Sequence, residues 1–391
     1  MRAQALSPEF KLVAACCIWP SQRRDSAVRV AMAMPMDWAS VLRIVKRQRV
    51  AGFVRDGLQC VWTKIPAPIA ENLEAMAKAI PWQNLQAAAE STAIQRALDH
   101  AGIACLFVKG VTLAQIAYGG LGAKHSWDID LLVLPPDVPR ALVILQGMGY
   151  RPAQGTPSPT HPHFARWLRF ARECVLLGEA GATPLELHWR LTNSGHFLRG
   201  VSASSPAQNV KIGGGIELRT LTDDDLFAYL CLHGASHAWE RLKWLADVAA
   251  LITNDSEADA HRRLDAARMH NAHHSVAQAF LLCDRLFGTP GAAAMAGELR
   301  RHRRYHWLEC LALRAMLRVS ELGQAQLDSL PAHTSHFLLG SGLAYPAIEF
   351  WDKLNGPFDL QKFTPPPGLG FLYPLARLGF WLRRGGRSQI R

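Results

Sequence analysis

Acidic residues are few. Against 43 Lys and Arg stand 32 Asp and Glu, a formal net charge of +11 over 391 residues. That balance favours phosphate-bearing partners such as nucleotides, nucleic acid or anionic lipid, without choosing among them. No C-x-x-C occurs, and the eight cysteines have no repeated spacing. A disulfide framework or zinc site is therefore not expected; free buried thiols in a reducing cytoplasm are. No apolar run reaches the ~20 residues that span a bilayer. KLVAACCIWP is apolar but too short, and lacks the small-residue cleavage site of a secretory signal. No basic stretch interleaved with aromatics marks an RNA-binding surface. Apolar residues make up 49% of the chain, which excludes global disorder. The length suits one large or two modest domains.

Residues 1–102 read as helical. Met36 to Gln59 has helical spacing, with Trp38, Leu42 and Val45 on one side, and residues 67–100 continue the pattern with an interruption at Pro81. Gly102 is a C-terminal stop. Asp137 to Gly147 reads as a helix capped by Asp137, and Gly149-Tyr150-Arg151 turns into a short strand. HFARWLRFAR reads as a strand, and a hairpin around Gly178–Thr183 leads into the strand PLELHWRL. Gly213-Gly214-Gly215 lacks the helix that follows a phosphate loop, so it reads as a hairpin turn. From Thr222 to about Leu330 the pattern is helical again, including one helix over Gly291–Arg318 that carries the basic run Arg300 to Arg304. The tail from Leu354 is basic and broken by Pro and Gly. Its segment Phe371 to Arg384 packs on the body or makes weak contact with an anionic membrane surface.

The chemistry gathers at FVKGVTLAQIAYGGLGAKHSWDIDLLVLP, residues 107–135. Asp128 and Asp130 open an apolar strand. Residues two apart on a strand share a face, so their carboxylates converge while Ile129, Leu131 and Val133 face inward. Two like charges this close need a cation, and a hard divalent metal suits them. Upstream, Lys109 and Gly110 join a strand to a helix over about Val111 to Tyr118, whose N-terminus suits phosphate. On PLELHWRL, Glu186, His188 and Arg190 share one face.

These residues resemble the DNA polymerase beta-like nucleotidyltransferase superfamily: Lys-Gly, a helix, a basic residue, then Asp-Ile-Asp-Leu-Leu-Val. More narrowly the chain is similar to a bacterial family of uncharacterised nucleotidyltransferases. That family carries Gly149-Tyr150, Glu186-Leu187-His188-Trp189 and the His-rich HGASHAWERLKWLADVAAL from His233 in the same order. The resemblance implies an α+β fold: a small mixed β-sheet nucleotidyltransferase core with flanking helices over 103–220, a helical domain over 221–353 and the tail over 354–391. It implies transfer of a nucleoside monophosphate from an NTP to an unknown acceptor by a two-metal mechanism with Mg²⁺ or Mn²⁺. Asp128, Asp130 and Glu186 would be the metal-holding carboxylates, and Lys109, Gly110 and Thr112 would receive phosphates. Val111 stands where the superfamily has Ser, and Lys124 where it has Arg. Lys124, His188, His237 and Lys243 would line the nucleotide site. His233 and His237 share one helix face; they line the cleft, pack two helices, or join Asp247 in a zinc site. Asp247 can also pair with Lys243.

Overall fold

The computed structural model describes residues 6–179, 181–317, 330–355 and 372–383. The fold is α+β, and no described helix is long and apolar enough to cross a membrane. Five short strands form a mixed sheet in the order β1 (Cys105–Phe107), β2 (Ile129–Val133), β5 (Leu185–His188), β4 (Glu173–Leu177), β3 (Arg151–Pro152). β2 and β5 run parallel; the other neighbours are antiparallel. β6 (Ala207–Gly213) and β7 (Ile216–Leu221) make a separate hairpin, turned by Gly213, Gly214 and Gly215 at positive φ.

β2 is buried on both faces, which corrects the expectation of a single buried face. Ile129, Leu131 and Val133 pack with Leu185 and Leu187 against Ile94, Leu98, Leu142 and Leu145 of the helices Ile80–His100 and Val138–Gly147. Leu106 and Leu132 join a second core with Tyr229, Trp239 and Leu245 of the C-terminal helical region. Alternation gives Asp130 the face of Leu132. The acid therefore points toward the helices Asp223–Ser236 and Leu242–Leu251 rather than to open solvent.

N-terminal and C-terminal helices share that second core. Gln48, buried at the end of Trp38–Gln48, donates to Met316 O at 3.1 Å and accepts from Leu242 N at 2.5 Å. Trp239 plugs the turn between the two helices facing the sheet, its indole N–H donating to Gln278 Oε1 at 3.0 Å. Pro81 falls in the first turn of Ile80–His100, where its missing N–H costs no hydrogen bond.

Three local expectations change. Residues 164–170 form a helix, Phe164–Phe170, because Phe164 and Trp167, one helical turn apart, both find the core. The segment expected as one helix over Gly291–Arg318 is two, Pro290–Leu299 and Arg303–Leu317. The basic run lies across the break, where Arg300 reaches Asp284 at 2.9 Å and Glu309 at 3.5 Å. Asp137 makes no capping bond; it ends the short 3₁₀ turn Pro135–Asp137 and pairs with Arg140. The eight cysteines are free, and all but the half-buried Cys60 are buried. In the tail, the helix Tyr373–Arg383 puts Tyr373 into the sheet-side core; residues 356–371 and 384–391 lie outside the described residues.

Candidate active site

The turn after β1 starts the site. Lys109 leads into the helix Gly110–Tyr118. Gly110 has φ +64, and a Cβ there would lie 3.3 Å from the Asp128 carbonyl, so glycine alone fits without strain. Thr112 is buried, and its hydroxyl sits 3.1 Å from Phe107 O and 2.8 Å from Lys109 O. It closes this turn instead of facing a phosphate.

The loop into β2 is held from below. Asn84, fully buried, donates to Leu121 O (2.7 Å) and Lys124 O (2.6 Å) and accepts from Ser126 N (2.9 Å). Asp128 follows, just ahead of the strand. Burial, then the charges of Asp130 and Glu186, push its carboxyl up to about 6. Asp130 behaves oppositely. Burial opposes its charge, but Lys109 and His188 hold it well below the usual carboxylate range. Lys109 Nζ lies 2.7 Å from Asp130 Oδ1. Despite burial, Asp130 keeps that ammonium protonated.

Register builds the rest. Parallel pairing sets Asp130 beside Glu186, and antiparallel pairing sets Glu173 beside His188. His188 Nε2 is 3.3 Å from Asp130 Oδ1 and 3.4 Å from Glu186 Oε2; Nδ1 is 3.0 Å from Glu173 Oε2. Burial opposes a charge on His188, but Glu173 and the other carboxylates raise its affinity for a proton well above normal. Arg172 grips both Glu173 oxygens, at 3.1 Å each. Arg190 does not join the site: it is past the end of β5 and donates to Arg169 O and Ala171 O.

The helical wall is cationic and aromatic. The His233 and His237 rings meet at 4.9 Å, tilted by 57°, and both touch Trp244. Burial keeps both uncharged, pulling His237 down to about 3. Lys243 is lowered to about 8 by burial and by Lys124. Asp247 pairs with Lys124 at 3.6 Å and accepts from Tyr118 Oη at 3.0 Å. That replaces the expected pairing with Lys243 and takes Asp247 out of any zinc site with His233 and His237.

Among the described residues, Asp130, Glu186 and His188 are the group whose ligand atoms all lie within 4.8 Å of one another. Asp130 Oδ2 is buried without a hydrogen-bond partner. An orphaned carboxylate oxygen on a member of this group fits a divalent cation with oxygen-ligand preference. The family described as uncharacterised nucleotidyltransferase matches residues 34–288, well over half of the chain. The chain belongs to this family. No curated protein matches it. Family membership makes the protein a transferase, and the matched segment contains every residue of the site.

Sequence reasoning missed Asn84, Arg172 and Glu173. Asn84 carried no signal, lying on a helix distant in sequence. Glu173 was within reach: counting back through the hairpin from His188 sets it directly across the strand pair.

Proposed function

We propose that the protein transfers a nucleoside monophosphate from an NTP to a hydroxyl of a small molecule or a protein. The observation that carries the reading is the convergence of Asp128, Asp130 and Glu186 beside Lys109 at a helix N-terminus. In the reaction an acceptor oxygen attacks the α-phosphorus, and the bond to pyrophosphate breaks. One of these acids takes the acceptor's proton, or holds the metal that lowers the pKa of the hydroxyl. Lys109 and the free N–H groups of the Gly110–Tyr118 helix bind the departing phosphates. Lys243 adds positive charge on the opposite wall. Asp128, Asp130 and Glu186 would hold Mg²⁺ or Mn²⁺, which when bound neutralises the charge on the reacting phosphate. Residues 103–220 carry this chemistry, and 221–353 supply the acceptor's wall.

A nucleotide-binding scaffold with little turnover is the second reading. The inward-turned Thr112 hydroxyl and the Lys124–Asp247 pair favour it, since both withdraw groups that the resemblance assigns to substrate. A nucleotide screen with Mg²⁺ or Mn²⁺ separates the two, with cell extract as acceptor source and pyrophosphate release and label transfer as readouts. Transfer that Asp128→Ala, Asp130→Ala and Glu186→Ala each abolish while still folded supports the enzyme. Transfer that survives all three substitutions overturns it. Metal-dependent nucleotide binding without transfer supports the scaffold.

A further inference from the structure

His188 stands between carboxylates, and its two ring nitrogens differ. Nε2 lies within hydrogen-bond reach of Asp130 Oδ1 at 3.3 Å, and 3.4 Å from Glu186 Oε2. Nδ1 lies 3.0 Å from Glu173 Oε2 without hydrogen-bond geometry. A carboxylate behind one ring nitrogen holds the proton on that side, so a cation binding at Nε2 displaces only the other proton. Arg172 holds Glu173, its Nη2 donating to Oε1 at 3.1 Å and its Nε lying 3.1 Å from Oε2. The imidazole is almost wholly buried, at 2% exposure. Asp130 Oδ2 is buried with no partner. Asp128, the first acid of the Asp-x-Asp pair, lies outside the tight group formed by Asp130, Glu186 and His188.

Building on the nucleotidyltransferase reading, we propose that His188 Nε2 is a ligand of the site's divalent cation beside Asp130 and Glu186, with Glu173 and Arg172 as positioning residues behind it. The donor set then includes an imidazole beside the carboxylates instead of carboxylates alone. Imidazole nitrogen favours transition metals, whereas Mg²⁺ prefers an all-oxygen shell. The site consequently selects Mn²⁺ over Mg²⁺. Glu173 acts only through His188, as the outer carboxylate of a carboxylate–imidazole–metal chain.

The test is pulsed EPR on the full chain loaded with Mn²⁺, with Mg²⁺ competition to give relative affinity. The expected spectrum shows coupling of Mn²⁺ to a nitrogen nucleus. The coupling changes on [¹⁵N]histidine labelling and disappears in His188→Gln, where the preference for Mn²⁺ over Mg²⁺ also shrinks. Glu173→Gln keeps the coupling and weakens Mn²⁺ binding by about 10–100-fold. If His188→Gln does not fold, the labelled wild-type spectrum decides whether a histidine is bound. Bound Mn²⁺ without histidine coupling overturns this inference and leaves the nucleotidyltransferase reading standing. Failure of the wild type to bind Mn²⁺, with or without NTP, overturns both.

Discussion

Asp128→Asn should stabilise the metal-free protein while destroying its activity. The carboxyl is moved from 3.8 to about 6, first by burial and then by Asp130 and Glu186. At ~1.4 kcal/mol per pH unit, the charged form costs the fold ~3 kcal/mol. The sign follows from the direction of the shift. An acid that binds its proton more tightly when folded costs nothing below about 3.8; its cost grows between 3.8 and 6 and is full above that. Amide replacement keeps the shape and removes the charge. In EDTA-treated protein at pH 8, urea unfolding of the variant should show a gain approaching ~3 kcal/mol, falling to a small fraction of that near pH 4. Mn²⁺ should then stabilise the wild type more than the variant, since a ligand stabilises the state that binds it. A variant less stable than wild type at pH 8, or a gain indifferent to pH, would refute the electrostatic account of this site.

Asp130→Ala should do the reverse. It strands the Lys109 ammonium in a buried position, with an expected loss of about 3–5 kcal/mol in urea unfolding. Adding Lys109→Met should recover part of that loss, and strictly additive effects would show that the 2.7 Å contact carries no coupling. Gly110→Ala forces a side chain into φ +64 against the Asp128 carbonyl. An expected cost of about 1–3 kcal/mol, with transfer activity falling further than stability, can be read from paired unfolding and activity assays. Acid should weaken the fold through His237 and His274, both held down to about 3 by burial. Their stabilising effect is present above about pH 6.5 and lost as pH falls toward 3, because the unfolded chain takes up protons that the folded one refuses. His237→Gln should flatten the plot of urea midpoint against pH over that window.

Local pattern settled more of this protein than its chemistry. The apolar run over residues 129–133, the glycine turn at 213–215, the interruption near Pro81 and the helix start at Thr222 are short-range signals, and each element formed where its residues put it. HFARWLRFAR failed as a strand because Phe164 and Trp167 satisfy a helical face as well as an extended one; only the core they enter separates the two. The ordered blocks Lys109-Gly110, Asp128-Ile129-Asp130, Glu186-Leu187-His188-Trp189 and the His-rich segment were enough to place the chain in its family. Composition also predicted the free cysteines.

Tertiary structure decided who meets whom. Nothing local pairs Lys109 with Asp130, Lys124 with Asp247, or Glu173 with His188. Those contacts depend on strand order, on register, and on Asn84 holding a loop from another helix. The same ionisable side chains therefore took charges the sequence could not assign. Asp128 was raised and Asp130 lowered, two residues apart on one chain, because a pKa answers to burial and to neighbours in space rather than to neighbours in sequence.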